Sequence, residues 1–306
     1  MTAQALLVSR ARIALKVGLK HLLAPVGLVL RHPPGLRVLF YHRVNRHPFR
    51  ALGLVSREIS VPTPAFERQM AWLARKGWRS LKLAEAEAML RGDAPLDRKA
   101  VLITFDDGYA DNLTEAAPIL ARHGFTAVVF PVLDMIGADN RRWPMADPEG
   151  LGDFMDESQL RDWLARGHEI GSHSCTHPML TDLDDGALTR ELHESRQGLE
   201  ARFGTGGDAI AYPGGDVDGR VAAAAARSGY ALGFTTRSGR NPPGAPLNSL
   251  CRTEVSVSDT DLIFRLKLAG MFDWLGVRDT PIYRRLMRIG HDAASALAGQ
   301  RRATQR

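Results

Sequence analysis

The stretch AVLITFDDGY, residues 100–109, sets an apolar, β-branched run against two adjacent carboxylates and a glycine. The run 100–105 reads as a buried strand, and the polar residues fall just past its end. Outward from it the same alternation repeats. Apolar strands are expected at 37–44, 125–132, 168–172, 209–213 and 231–236. Between them, helices are expected at 64–76, where Phe66, Met70 and Leu73 share helical spacing, and from about 111 to 123, where Gly124 ends the pattern. Further helices are expected at 158–166, stopped by Gly167, at 183–203 and at 219–227. Strand then helix, repeated, points to a parallel sheet. No GxGxxG follows a strand and no GxxxxGK[ST] is present, so an open nucleotide-binding sheet lacks its marker. A barrel fits better, because loops at the carboxyl ends of barrel strands build the site. The expected fold is a distorted α/β barrel, (β/α), of about seven parallel strands. It forms one catalytic domain, 37–256, between a basic apolar helical flank, 1–36, and a basic helical flank, 257–306.

The totals limit the function classes. The chain has 306 residues, 44% hydrophobic and 24% charged, ordinary values for a globular protein. Two cysteines, Cys175 and Cys251, make no disulfide framework. The net charge is +6, concentrated at the ends, and residues 1–50 hold no acid. No zinc finger, RNA-binding aromatic motif or helix-turn-helix pattern accompanies that charge, so nucleic acid is not expected as a partner. The first thirty residues are apolar but carry Arg10, Arg12, Lys16 and Lys20, and their longest uncharged run, 22–30, contains Pro25. That is too short for a membrane span and too interrupted for a cleaved secretory signal. Arg12, Lys16 and Lys20 would share a helix face, which suggests a helix lying on an anionic membrane surface; the alternative is a helix packed on the domain. The expected location is cytoplasmic, with a peripheral place on the inner membrane as the option that the basic flanks leave open. No oligomeric state is assigned.

Three polar stretches follow strands. In TFDDG (104–108), adjacent Asp106 and Asp107 repel each other. A bound cation relieves the repulsion and leaves one acid free as a base. Alone, Asp-Asp-Gly is more often an ordinary turn. In SHSCTH (172–177), His173 and His177 with one carboxylate would give three ligands to a divalent metal, leaving positions open for water and substrate. Cys175 between them is a further candidate donor, although a lone thiol in a loop is usually only a small residue. In YPGG (212–215), the glycines let a backbone N–H approach a substrate oxygen, though Pro-Gly-Gly is also a common turn.

Together, TFDDG, SHSCTH and YPGG, with YHRV (41–44) and GHEIGSH (167–173), resemble the polysaccharide deacetylase family with nodulation protein B homology, the carbohydrate esterase family 4 type. The resemblance spans roughly 37–255 and is most specific in the first two motifs. It implies a distorted β/α barrel that removes N-acetyl groups from amino sugars of a chitin-like, exopolysaccharide or lipid-linked saccharide. It implies Asp107, His173 and His177 as ligands of a divalent metal, zinc first, with cobalt or nickel as alternatives. It implies Asp106 as the base that takes the proton of a metal-activated water, and a backbone N–H near Tyr212, Pro213 and Gly214 as oxyanion donor. Two departures stand out. Where the family commonly has an arginine that orients the base, this chain has Ala211; Arg252 is the expected replacement. The family's late histidine has no clean match. His291 reads as part of a C-terminal helix, and His42, at the end of the first strand, is the weaker choice of proton donor, with a role in the core as the alternative. His168 precedes its strand and is assigned to structure.

Other readings compete. A lipid-linked sugar deformylase would use the same chemistry. Two histidines and a carboxylate also describe non-haem iron oxygenases, but those favour all-β folds and give Asp106 no task. A degenerate carbohydrate-binding barrel would explain Ala211, yet it does not require a base beside a metal.

Overall fold

The computed structural model describes residues 3–30, 33–48, 51–52, 54–139 and 152–279. Ten strands are present among them: β1 (Arg37–Tyr41), β2 (Arg43–Asn45), β3 (Ser60–Pro62), β4 (Arg79–Ser80), β5 (Ala100–Asp107), β6 (Val128–Pro131), β7 (Glu169–Ile170), β8 (Ala209–Ala211), β9 (Leu232–Phe234) and β10 (Thr253–Glu254). The helices are α1 (Ala3–Leu23), α2 (Val26–Val29), α3 (Leu54–Ile59), α4 (Thr63–Arg75), α5 (Leu83–Arg91), α6 (Ala117–Arg122), α7 (Glu157–Ala165), α8 (Asp185–Phe203), α9 (Gly219–Arg227) and α10 (Asp261–Ala269).

All ladders between these strands are parallel. The main order is β10-β1-β5-β6-β7, with β4 also on β5. Single parallel bridges carry the pairing onward: Ser172 joins Ile210 of β8, and Phe234 of β9 joins Leu250, just before β10. The two-stranded β8–β9 sheet is thus linked to the main sheet on either side by a join one bridge wide. This is the expected parallel α/β architecture. β5 sits in the middle of the order, and all eight of its residues are buried, which is why it reads as a mostly apolar run up to its two terminal acids. Phe105 on β5 anchors the strand. Its ring lies 5.5 Å from Tyr41, 5.9 Å from Phe66 and 6.0 Å from Trp163. Truncating such a buried aromatic costs about 3–5 kcal/mol.

Several expectations change in detail. The strand expected at 37–44 divides at His42: β1 stays on β5, while β2 turns to β3. The strand expected at 168–172 keeps two residues on β6, because Ser172 instead exchanges backbone bonds with Ala209 and Ala211. The helix expected from 111 begins with a π turn, Asn112–Ala116, followed closely by Pro118, which has no N–H to give. The helix start at 183 moves to Asp185, where the Asp184 side chain accepts the Ala187 N–H at 2.7 Å. β3, β4 and α5 were not anticipated. Residues 257–279, set apart in sequence as the start of a flank, are packed into the domain. Phe264 and Leu268 of α10 join the principal core, and Arg37 pairs with Asp273 in a buried bidentate bridge. His291 and the arginines from 284 onward lie outside the described residues.

Candidate active site

The two acids stand at the carboxyl end of β5, where the chain turns sharply. Asp107 has φ 71° and Gly108 φ 82°. A side chain at 108 would place its Cβ 2.8 Å from Cβ of Pro131, so the close approach of β6 requires glycine there. A non-glycine residue in the left-handed region stores roughly 1–3 kcal/mol, a cost concentrated at functional positions. Pro131 pairs with Asp107 across the ladder and accepts the His173 N–H at 3.1 Å. One β6 residue thus brings the second motif beside the first.

The SHSCTH loop is held open by its own hydroxyls and by α8. Ser174 Oγ accepts the His177 N–H at 3.0 Å, and Ser174 and His177 also adopt left-handed backbone, φ 65° and 62°. Glu191 of α8 accepts the N–H groups of Cys175 (2.8 Å) and Thr176 (3.0 Å) and the Thr176 hydroxyl (2.6 Å). Sequence reasoning missed Glu191. It is one acid among several on a charged helix, and only its three loop contacts distinguish it.

His173 Nδ1 donates to the Ala211 carbonyl at 2.6 Å, which orients the ring so that Nε2 faces Asp107 Oδ1, 3.5 Å away. His177 Nε2 lies 3.8 Å from the same oxygen. The three ligand atoms lie within 4.8 Å of one another, and no other such group of His, Cys, Asp or Glu occurs among the described residues. Burial opposes the charge on Asp107, but a hydrogen bond from His173 and the fields of His42, His173 and His177 hold its carboxyl well below the usual range. Burial and the neighbouring His173 push His177 down to about 4. Burial also works against charge on His173, yet the hydrogen bond to Asp107 and the field of Asp106 leave it raised. Two imidazoles, one oriented by a backbone carbonyl, and one ionised carboxylate are a donor set that fits a divalent cation with open positions.

Asp106 faces a different partner. Arg252 grips it bidentately, both contacts at 2.7 Å. The guanidinium is itself aligned by the Thr235 carbonyl (2.8 Å) and lies over the Phe40 ring, 4.3 Å from its centroid. Burial would raise the Asp106 pKa, but Arg252 and His173 outweigh it and keep the carboxyl ionised. Arg252, the residue expected to stand in for the arginine absent at Ala211, is thus the one that contacts Asp106.

His42 follows β1, one register step beyond the Tyr41–Phe105 pair, which puts it level with Asp106. It is half-buried, edge-on to Phe40 at 5.8 Å, and its field reaches both acids. Tyr212 needs correction as an oxyanion donor. Its N–H is given to the Phe234 carbonyl at 3.0 Å, its hydroxyl to the Asn248 carbonyl at 2.9 Å, and its ring is buried in a separate core with Leu192 and Tyr230. Pro213 has no N–H, and the Gly215 N–H goes to Tyr212 at 2.7 Å. The Gly214 amide is the one in this turn with no protein acceptor. His168 is structural: it accepts the Ala127 N–H at 3.2 Å, its ring lies 4.1 Å from that of Trp163, and burial pushes its pKa down to about 4. Cys175 is a thiol, pushed up to about 12 by burial and the acids around it, and donates to the Glu191 carbonyl at 3.6 Å.

Comparison with known proteins converges on one family. Residues 93–233 match the family model described as Polysaccharide deacetylase. A curated Bacillus subtilis (strain 168) chain, YxkH, assigned to the polysaccharide deacetylases, is 30% identical over 224 residues, which is 73% of this chain and 72% of that one. The poly-beta-1,6-N-acetyl-D-glucosamine N-deacetylase of Escherichia coli K12 is 42% identical over 76 residues, 25% of this chain but 11% of that protein. Among solved structures, the Streptococcus pyogenes deacetylase PplD, in complex with acetate, superposes with a TM-score of 0.66 at 23% identity, covering 78% of this chain and 99% of its own. IcaB from Ammonifex degensii gives 0.64 at 23% identity, covering 78% and 98%. At these identities the two structures establish the shared fold.

Proposed function

The chain belongs to the polysaccharide deacetylase family, and from that premise we propose that it hydrolyses the N-acetyl amide of amino sugars in an oligo- or polysaccharide. The observation that carries this is the division of labour between adjacent acids: Asp107 faces His173 and His177, while Asp106 is gripped by Arg252. A binding barrel has no use for a separately ionised, separately oriented carboxylate beside a cation site.

Asp107, His173 and His177 would hold a divalent cation, zinc first, with cobalt or nickel compatible with the same donors. Such a cation supplies Lewis-acid polarisation of the amide carbonyl and acidifies a water. The chain's own residues do the rest. Asp106, ionised and fixed by Arg252, accepts the proton of the attacking water. The Gly214 amide, at the end of β8, donates to the oxygen that gains charge. His42, level with Asp106, returns a proton to the departing amine, so that acetate and a free amino sugar result.

The test is metal content and acyl release, measured together. Purified protein should carry about one divalent ion per chain, as a three-ligand catalytic site does, and His173→Ala should lose it. Chitooligosaccharide and poly-N-acetylglucosamine should then be screened for acetate and for formate. Acetate supports the reading. Formate from an N-formyl substrate alone would move it to a deformylase. A wild type that binds no metal after reconstitution, or keeps it in His173→Ala, would overturn it.

A further inference from the structure

Eight large apolar side chains stand exposed among the described residues, and six of them fall within residues 15–30: Leu15, Leu19, Leu22, Leu28, Val29 and Leu30. Leu15 and Leu22 on α1 are 73% and 74% exposed, and Val29 on α2 is 82% exposed. Isolated apolar residues on a surface need no explanation, but a concentration of them does. The same segment is basic. The first thirty residues of the chain hold Arg10, Arg12, Lys16 and Lys20 and no acid, and neither Arg10 nor Arg12 has an acidic partner among the described residues.

The exposed face is not a loose end. Ile13, Val17 and Lys20 recur at helical spacing on the less exposed side of α1, and Ala24, just past its end, continues that side. Lys20 Nζ reaches Ser258 Oγ and Asp259 Oδ1, both at 2.6 Å, and Asp259 is buried and also paired with Lys267 at 2.6 Å. Lys16 pairs with Glu58 at 3.0 Å. Ala24 packs with Ile263 and Phe272. At Gly27 a Cβ would lie 2.2 Å from the Met271 carbonyl oxygen, so α2 sits directly on that backbone. On α1, Leu15 and Leu22 point away from this docked side, with Leu19 and Arg12 flanking them. The latch has a definite place: Ser258 and Asp259 follow β10 at its carboxyl end, the end at which β5 presents Asp106 and Asp107. Between α1 and this loop runs a cleft of about 300 Å³, with Leu19, Leu23, Ile59 and Val257 in its lining, so apolar surface continues from the outer strip toward the domain.

We propose that α1 and α2 form an interfacial docking surface for an anionic lipid bilayer, fixed by the Lys20–Asp259 latch so that the mouth of the catalytic site lies beside the membrane. Leu15, Leu19 and Leu22 exposed along one side of α1, with Arg12 beside them and without an acidic partner among the described residues, and the exposed side chains at 28–30 are the composition an anionic headgroup layer binds. No described helix is long and apolar enough to cross a membrane, so the contact lies in the plane of the interface. The placing of the catalytic mouth rests on the deacetylase reading, but the docking itself does not, because vesicle binding is measured without turnover.

The full chain should be sedimented with vesicles of phosphatidylglycerol and phosphatidylcholine in equal parts, and with phosphatidylcholine alone. Binding is expected to the anionic vesicles only. The double variant Leu15→Ser/Leu22→Ser should bind at least about tenfold more weakly. Leu262→Ser, an exposed leucine outside the strip, should bind as wild type, and circular dichroism should show all three folded alike. Several results would overturn the proposal: no binding to anionic vesicles, equal binding to neutral ones, or an equal loss in Leu262→Ser. So would a wild type that ignores vesicles but self-associates through this face, seen by light scattering and abolished in the double variant.

Discussion

Two buried arginine–aspartate bridges stand beside β1, and they differ in what surrounds them. Arg37, the first residue of β1, grips Asp273 at 2.6 and 3.0 Å. Arg252, just before β10, grips Asp106 with two contacts of 2.7 Å. All four side chains are buried. The first bridge fastens the segment after α10 to the start of the barrel, and Arg37 spends further donors on Gly239, Thr253 and Leu268. The second stands beside Asp107, His173 and His177. A buried ion pair by itself is weak evidence for either stability or function. What separates the two is the neighbouring group that could use the carboxylate.

The largest expected effect tests that separation directly. Asp106→Asn keeps size and shape but removes the proton acceptor. Deacetylation should fall about 10²–10⁴-fold, while bound metal, measured by elemental analysis, stays near the wild-type level. Activity within a few fold of wild type would make the Asp106 bridge structural, like its counterpart. Both variants leave a buried arginine without its carboxylate and should lose stability, but for Asp273→Asn that should be the whole effect. It leaves Arg37 as an uncompensated buried charge, so stability in urea should drop by about 3–5 kcal/mol, while turnover by the folded fraction is unchanged. A stable Asp273→Asn protein with lost activity would erase the distinction from the other side.

Much of this was legible in sequence, for a physical reason. Buried parallel strands must be apolar along their length, so β5 and β6 stand out, and polar residues just past such strands have few structural uses. Asp106, Asp107, His173 and His177 become visible when those strand ends are taken together with the family resemblance of their motifs, and the structure brings all four together. Short elements were not legible: β4 has two residues and β3 three, too few for any period to show. Arg252 meets Asp106 across 146 positions, and only the gap at Ala211 suggested that something must come from elsewhere. Tyr212 was misjudged because a sequence shows a residue at a strand end but not where its N–H is already committed, here to β9. Glu191 was hidden because a carboxylate that staples a loop looks, in sequence, like any solvated acid on a helix.

The smallest effect sharpens the comparison most, because it separates orienting a base from holding a fold. Arg252→Lys keeps the charge but replaces a planar two-pronged donor by a single ammonium, which cannot reproduce the bidentate grip. Burial, the largest influence on Asp106, then meets weaker opposition, so its pKa should rise. A base works only while deprotonated, so activity falls as pH drops through its pKa. The acid limb of the kcat/KM profile should therefore move to higher pH, with a loss of about tenfold on that limb, the low end for partners that orient a reacting group, and little loss above neutrality. The same linkage acts on stability: a carboxylate held below its usual range contributes above that range and loses the contribution as pH falls through its folded value. Arg37→Lys weakens the other bridge in the same way but should leave the acid limb where it is. If both lysine variants shift the limb equally, the shift reports a general loosening of the barrel; if only Arg252→Lys does, Asp106 is the group whose ionisation the activity follows.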